Sequence, residues 1–133
     1  MAEFIWPLRV YYEDTDHGGV VYHANFVKFM ERARTEWLRV RGVEQDSLSE
    51  EQGVVFAIRD MQLKFHLPAR FNDALEVSVE MVRCGRASAD FYQQVCRAGE
   101  ILCEGTIRVA SLETTSFKPK MMNEALLIKM AEE

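Results

Sequence analysis

Apolar positions along the chain change period several times, and each change marks an element. From Phe26, apolar residues recur at Met30, Ala33, Trp37 and Val40, steps of four, three, four and three that keep one side of a helix buried. Lys28, Glu31, Arg32, Arg34, Glu36, Arg39 and Arg41 are read as solvated stems, and Gly42 fits the left-handed residue that stops many helices. The spacing predicts a helix over residues 24–41, about five turns long.

Elsewhere a period of two takes over. Leu75, Val77, Val79 and Met81 alternate with Glu76, Ser78 and Glu80, the pattern of a strand with one buried face. Residues 5–12, 54–66, 91–97 and 101–112 read as further strands, with Pro7 tolerated near the start of the first. Residues 68–73 form a loop, Gly85 breaks the pattern after Cys84, and Ala98-Gly99 predicts a tight hairpin. Short turns make neighbouring strands antiparallel, and the long apolar helix needs cover. The simplest solution is an α+β fold, a curved antiparallel sheet wrapped around the helix. A short helix is expected over residues 44–52 and another over 123–131 with an N-cap; mixed signals over 112–122 leave a last strand open.

Composition bounds the function. With 48% hydrophobic residues in 133, the chain can bury a proper core, and no Pro- or Ser-rich linker or repeat divides residues 1–133 into more than one domain. A net charge of −5 argues against nucleic acid as a partner, since such domains concentrate basic surface. No run approaches the roughly 18 apolar residues of a transmembrane segment, nor does a basic n-region open the chain, so a soluble cytoplasmic protein is expected. Cys84, Cys96 and Cys103 are odd in number and lack metal spacing, as do His17, His23 and His66. Reduced cysteines and no metal site are expected.

Candidate chemistry concentrates between Tyr11 and Phe26, YYEDTDHGGVVYHANF. Gly18-Gly19 allows backbone angles forbidden to other residues and lets a ligand approach the main chain. The first amides of the following helix point outward unpaired and favour an anion, including an oxyanion formed in acyl transfer. Asp14, Thr15 and Asp16 admit two readings: turn and cap hydrogen bonds, or a carboxylate base beside that helix terminus.

The segments Tyr12-Glu13-Asp14-Thr15-Asp16, Gly19 to Asn25 and Glu31-Arg32-Ala33-Arg34 resemble the 4-hydroxybenzoyl-CoA thioesterase family of hotdog-fold proteins, and its Tol-Pal-associated branch in particular. The resemblance extends from Trp6 to Pro119. It implies a hotdog α+β fold and an acyl-CoA thioesterase that releases a carboxylic acid and free coenzyme A.

By the same resemblance Asp16 is the catalytic aspartate, as nucleophile or as the base that activates water, and the His23 backbone N–H polarises the thioester oxygen. Tyr12 and the His23 ring match catalytic or supporting positions, and Gly19 and Val21 lie beside substrate. Arg83, Arg86, Lys118 and Lys120 are candidates for the coenzyme A phosphates, Arg86 and Lys118 foremost, with solvated strand ends as the other explanation. Ser116 and Lys120 depart from the branch's basic pattern. His17 stands where relatives often carry a small residue or proline and is read as facing solvent, tuning of Asp16 being the alternative.

No cofactor is implied. Acyl carrier protein is the other possible carrier of the substrate, and a homodimer or homotetramer with sites at the interface is expected. Against the hydrolase stand a noncatalytic acyl-thioester binding module and, more distantly, a dehydratase. Phe26, Phe29, Phe56 and Met61 are read as core, with an acyl pocket as the alternative.

Overall fold

The computed structural model describes residues 4–131. Five strands run in chain order as β1 (Phe4–Arg9), β2 (Val54–Phe65), β3 (Ala74–Cys84), β4 (Ser88–Arg97) and β5 (Glu100–Glu113); the helices are α1 (His23–Val40), α2 (Gln45–Gln52) and α3 (Glu124–Ala131). The strands form one sheet ordered β1-β3-β4-β5-β2, antiparallel at every pairing. This is the expected α+β class.

Alternation decides which face is buried. Leu75, Val77 and Val79 of β3 and Phe91 and Val95 of β4 point inward and meet Phe26, Phe29, Met30, Ala33 and Trp37 of α1 in one core cluster. The Trp37 and Phe91 rings meet edge to face at 5.1 Å between centroids. Gly42 takes the left-handed backbone (φ +79°) that ends the α1 turn.

The strands and helices read from the sequence are present, with two corrections. The first strand stops at Arg9 rather than Tyr12, because the chain turns into a 3-10 turn over Tyr12–Asp14 whose Asp14 carboxylate takes the Tyr11 N–H. Arg34, expected on the solvated side of α1, is only 7% exposed. It sits one position past Ala33 and one turn past Met30, close enough to the apolar stripe that its guanidinium reaches the buried Gln93 on β4 at 2.8 Å.

The uncertain stretch after β5 folds back rather than forming a full strand: Leu112 bridges Pro119, and the chain then enters α3, where Asn123 Oδ1 accepts the Leu126 N–H at 2.8 Å as the expected N-cap.

Candidate active site

The site forms where the chain leaves β1 and enters α1. Val10 donates its N–H to Asp73 O at 2.9 Å and is fully buried, and beyond it the backbone must find new partners. Asp14 supplies them. Its Oδ2 accepts the Tyr11 N–H at 2.8 Å, which makes this nearly buried carboxylate a turn residue.

Asp16 heads a tight hairpin. Its N–H donates to Val20 O at 2.9 Å, its carbonyl accepts the Gly19 N–H at 3.1 Å, and Thr15 bridges Val21 across the base. Gly19 holds φ at +77°, and a Cβ there would meet nothing within 4 Å, so the backbone angle rather than crowding calls for glycine. The Asp16 side chain is exposed; Oδ1 accepts the Gly18 N–H at 2.8 Å, and Oδ2 makes no hydrogen bond among the described residues.

Both legs of this hairpin are fastened. Val21 donates its N–H to Ala69 O at 2.8 Å and Val20 bridges Arg70, which moors the outgoing leg to the loop before β3. The Asp14 carbonyl accepts the Tyr22 N–H at 3.0 Å and Asn25 Nδ2 at 2.8 Å, so one oxygen holds the start of α1 against the segment carrying Asp16.

Tyr22 is the N-cap of α1 and makes no side-chain cap hydrogen bond. The Asn25 N–H bonds Tyr22 O at 2.8 Å, while the amides of His23 and Ala24 find no acceptor among the described residues. These amides carry the positive end of the helix dipole.

Aromatic rings surround this terminus. The His23 ring lies 4.4 Å from Tyr22 and meets Phe65, the last residue of β2, edge to face at 6.0 Å; Phe26 meets the same Phe65 at 5.8 Å. Tyr12 is 79% exposed and turns its ring to Phe71 at 6.0 Å, making no hydrogen bond to Asp16 or His23. His17 is exposed and Val21 is buried in the core cluster.

The structure thus places Asp16, Gly19 and the His23 amide in one locality, with Tyr12 beside it. Arg86 and Lys118 lie elsewhere. Arg86 is in the β3–β4 turn, level with Ala57 through the Ser88–Ala110 and Ala110–Ala57 pairings, whereas His23 adjoins Phe65. Eight strand positions separate Ala57 from Phe65, about 26 Å at a strand's usual rise. Lys118 lies next to Pro119, which bridges Leu112 at that same far end.

Asn25 and Phe65 escaped the sequence reading. The signal for Asn25 was available, a short amide in the first helical turn able to reach back to a preceding carbonyl. Nothing local marked Phe65, because its place depends on how β2 pairs. Among the described residues no three His, Cys, Asp or Glu side chains are grouped to hold a metal. No helix there is long and apolar enough to cross a membrane.

An antiparallel sheet carrying a long helix, with an exposed carboxylate beside that helix's open N-terminus, has the arrangement of a hotdog-fold acyl-transfer domain. The comparisons agree: the family model of the thioesterase superfamily matches residues 18–104, and the chain belongs to that superfamily.

Over 130 residues the chain is 39% identical to the acyl-CoA thioester hydrolase YbgC of Escherichia coli O6:H1, covering 97% of this chain and 96% of that protein. It is 40% identical over 116 residues to the acyl-CoA thioesterase YbgC of Haemophilus influenzae, covering 87% and 85%. The crystal structure of a 1,4-dihydroxy-2-naphthoyl-CoA thioesterase from Synechocystis matches with a TM-score of 0.89 at 17% identity, over 98% of this chain and 97% of that one, a likeness of fold.

Proposed function

We propose that this chain hydrolyses acyl-CoA thioesters to a carboxylic acid and free coenzyme A, with Asp16 as base or nucleophile and the His23 main-chain N–H as oxyanion donor. One observation carries the reading. An exposed carboxylate with an oxygen left unbonded is tied, through the Asp14 carbonyl, to a helix start whose first amides have no acceptor among the described residues. The acyl-CoA named for the relatives in E. coli and H. influenzae supports the substrate class.

In this reading the thioester carbonyl oxygen lies at the α1 terminus. Attack on the carbonyl carbon, by water that gives its proton to Asp16 or by the Asp16 carboxylate followed by water, moves charge onto that oxygen. A preset amide donor there typically lowers the barrier by about 3 kcal/mol, and a positioned base adds roughly a hundredfold to ten-thousandfold. The C–S bond then breaks and the coenzyme A thiolate leaves, taking up the proton. Tyr12 and the His23 ring support the site from its rim.

Two copies complete it. Among the described residues β2, twelve residues long, has β5 as its sheet neighbour on one side only, whereas the opposite edge strand, β1, is six residues long and carries Pro7. The longer, proline-free edge is the better one to extend. Antiparallel pairing of two β2 strands about a two-fold axis carries the Arg86 and Lys118 end of one copy toward the Asp16 end of the other, which suits a long coenzyme A ligand. Light scattering tests this: a monomer that turns over substrate overturns it.

The deciding assay is thiol release from a panel of short, long and aromatic acyl-CoAs by wild type and Asp16→Asn. The variant is expected to lose release by at least roughly a hundredfold while retaining substrate binding. Hydrolysis by Asp16→Asn at the wild-type rate rejects the assignment, and no turnover by wild type across the panel favours a binding module.

A further inference from the structure

A buried cation without a counter-ion among the described residues stands on the second half of α1, away from the Asp16 of its own copy. Arg34 is 7% exposed, yet no ion pair joins it to any carboxylate among the described residues. Its Nη1 donates to Gln93 Oε1 at 2.8 Å; Gln93 is itself fully buried and commits its amide nitrogen to the Met30 and Ser78 carbonyls at 3.0 and 3.3 Å. The remaining guanidinium N–H groups make no hydrogen bond among the described residues.

The carboxylate that acts on Arg34 electrostatically is Glu31, which is exposed and accepts the Thr35 hydroxyl at 3.1 Å. Desolvation pulls the Arg34 pKa down to about 10 against the smaller opposing pull of Glu31, which leaves the guanidinium charged at neutral pH. A charge this far out of water without an ion pair is costly to keep, and the Arg34–Gln93 hydrogen bond offsets part of that cost.

Arg34 borders a cavity of about 120 Å³ between α1 and the sheet, walled by Leu38, Phe56, Phe91, Val109 and Met122. An apolar cavity of roughly 150 Å³ admits benzene, so this space suits a chain of about four to six carbons. Exposed Glu31 and Ile58 also border it, which places its mouth between α1 and β2. A guanidinium presents paired N–H groups that match a carboxylate.

We propose that this cavity binds a short-chain carboxylate, its hydrocarbon among Phe56, Phe91 and Met122 and its carboxylate on the free N–H groups of Arg34. Two sources share that chemistry: a free carboxylic acid, the class of product that thioester hydrolysis yields, and the far end of a dicarboxylic acyl group. Occupancy by a free acid is read without turnover and stands apart from the hydrolase reading; the acyl-group source rests on that reading and on the β2-paired dimer, since Arg34 lies about 16 Å along α1 from His23 of its own copy.

Calorimetry with hexanoate and with uncharged hexanamide tests it in wild type, Arg34→Met and Phe56→Trp. Wild type is expected to bind hexanoate at least roughly tenfold more tightly than hexanamide. Arg34→Met erases that difference, whereas Phe56→Trp, which fills the cavity and leaves Arg34 in place, loses both ligands. Absence of hexanoate binding, equal affinities in wild type, a hexanoate preference that survives Arg34→Met, or unchanged binding in Phe56→Trp overturns the proposal.

Hydrolysis of adipyl-CoA and hexanoyl-CoA separates the sources. A preference for adipyl-CoA that disappears in Arg34→Met assigns the site to the far end of an acyl group. Hexanoate binding with no such preference assigns it to the free acid.

Discussion

Asn25 Nδ2 and the carbonyl oxygen of Asp14 meet at 2.8 Å, so the third residue of α1 is fastened to the chain two positions before Asp16. The Tyr22 N–H shares that oxygen, and together the two bonds fix where the helix begins relative to the acidic hairpin. Asn25→Ala removes the side-chain donor and leaves the main-chain one. The expected loss is about 1 kcal/mol of stability in urea unfolding. If the tie positions the site, thiol release falls well beyond that loss of stability, with the change in kcat rather than KM.

Asp90 links three strands. From β4 it accepts Arg83 Nε of β3 at 2.8 Å and Arg108 Nε and Nη2 of β5 at 2.8 and 3.1 Å. The Arg108 hydrogen bonds, then those of Arg83, hold its carboxyl well below the usual carboxylate range. A depressed folded-state pKa stabilises fully above the unfolded value, near 3.8, and that contribution fades as pH falls from there toward the folded value. Asp90→Asn is therefore expected to be less stable than wild type at pH 7, with the gap narrowing below about pH 4. Denaturant midpoints measured across pH 2 to 7 check it, and a gap constant with pH rejects the ion pairs as its cause.

The β4–β5 hairpin carries strain at a single side chain. Arg97 pairs with Glu100, leaving Ala98 and Gly99 as a two-residue loop, and both take positive φ, +50° and +81°. Such a turn favours Asn-Gly, because asparagine tolerates the left-handed region better than alanine. Ala98→Asn should raise stability by about 0.5 to 1 kcal/mol, seen as a melting temperature several degrees higher. A lower melting temperature contradicts the strain argument.

The sequence disclosed most where one residue's fate depends on near neighbours. The 3.6 period located α1 to within a residue, alternation located β3, and Ala98-Gly99 marked its hairpin. Of the two readings open for Asp14, the turn role is the one it fills, since a short carboxylate before a glycine pair has local amides to accept. Arg34 did not read correctly, because its burial depends on Gln93, fifty-nine positions away on β4. Phe65 and the Ala69–Arg70 anchor were illegible for the same reason. The distance between Arg86 or Lys118 and Asp16 is set by sheet register, which no local pattern encodes.

The pairing of β2 also has a history in time. Phe65 pairs with Cys103 and Val54 with Glu113, so this strand leaves the ribosome well before the last strand, its neighbour in the sheet, has been made. Until then Val54-Val55-Phe56-Ala57-Ile58, an apolar and β-prone run, has no sheet to join. The newborn chain passes through an interval when its stickiest segment is unclaimed, and chaperone capture during synthesis should fall off once residue 113 has emerged.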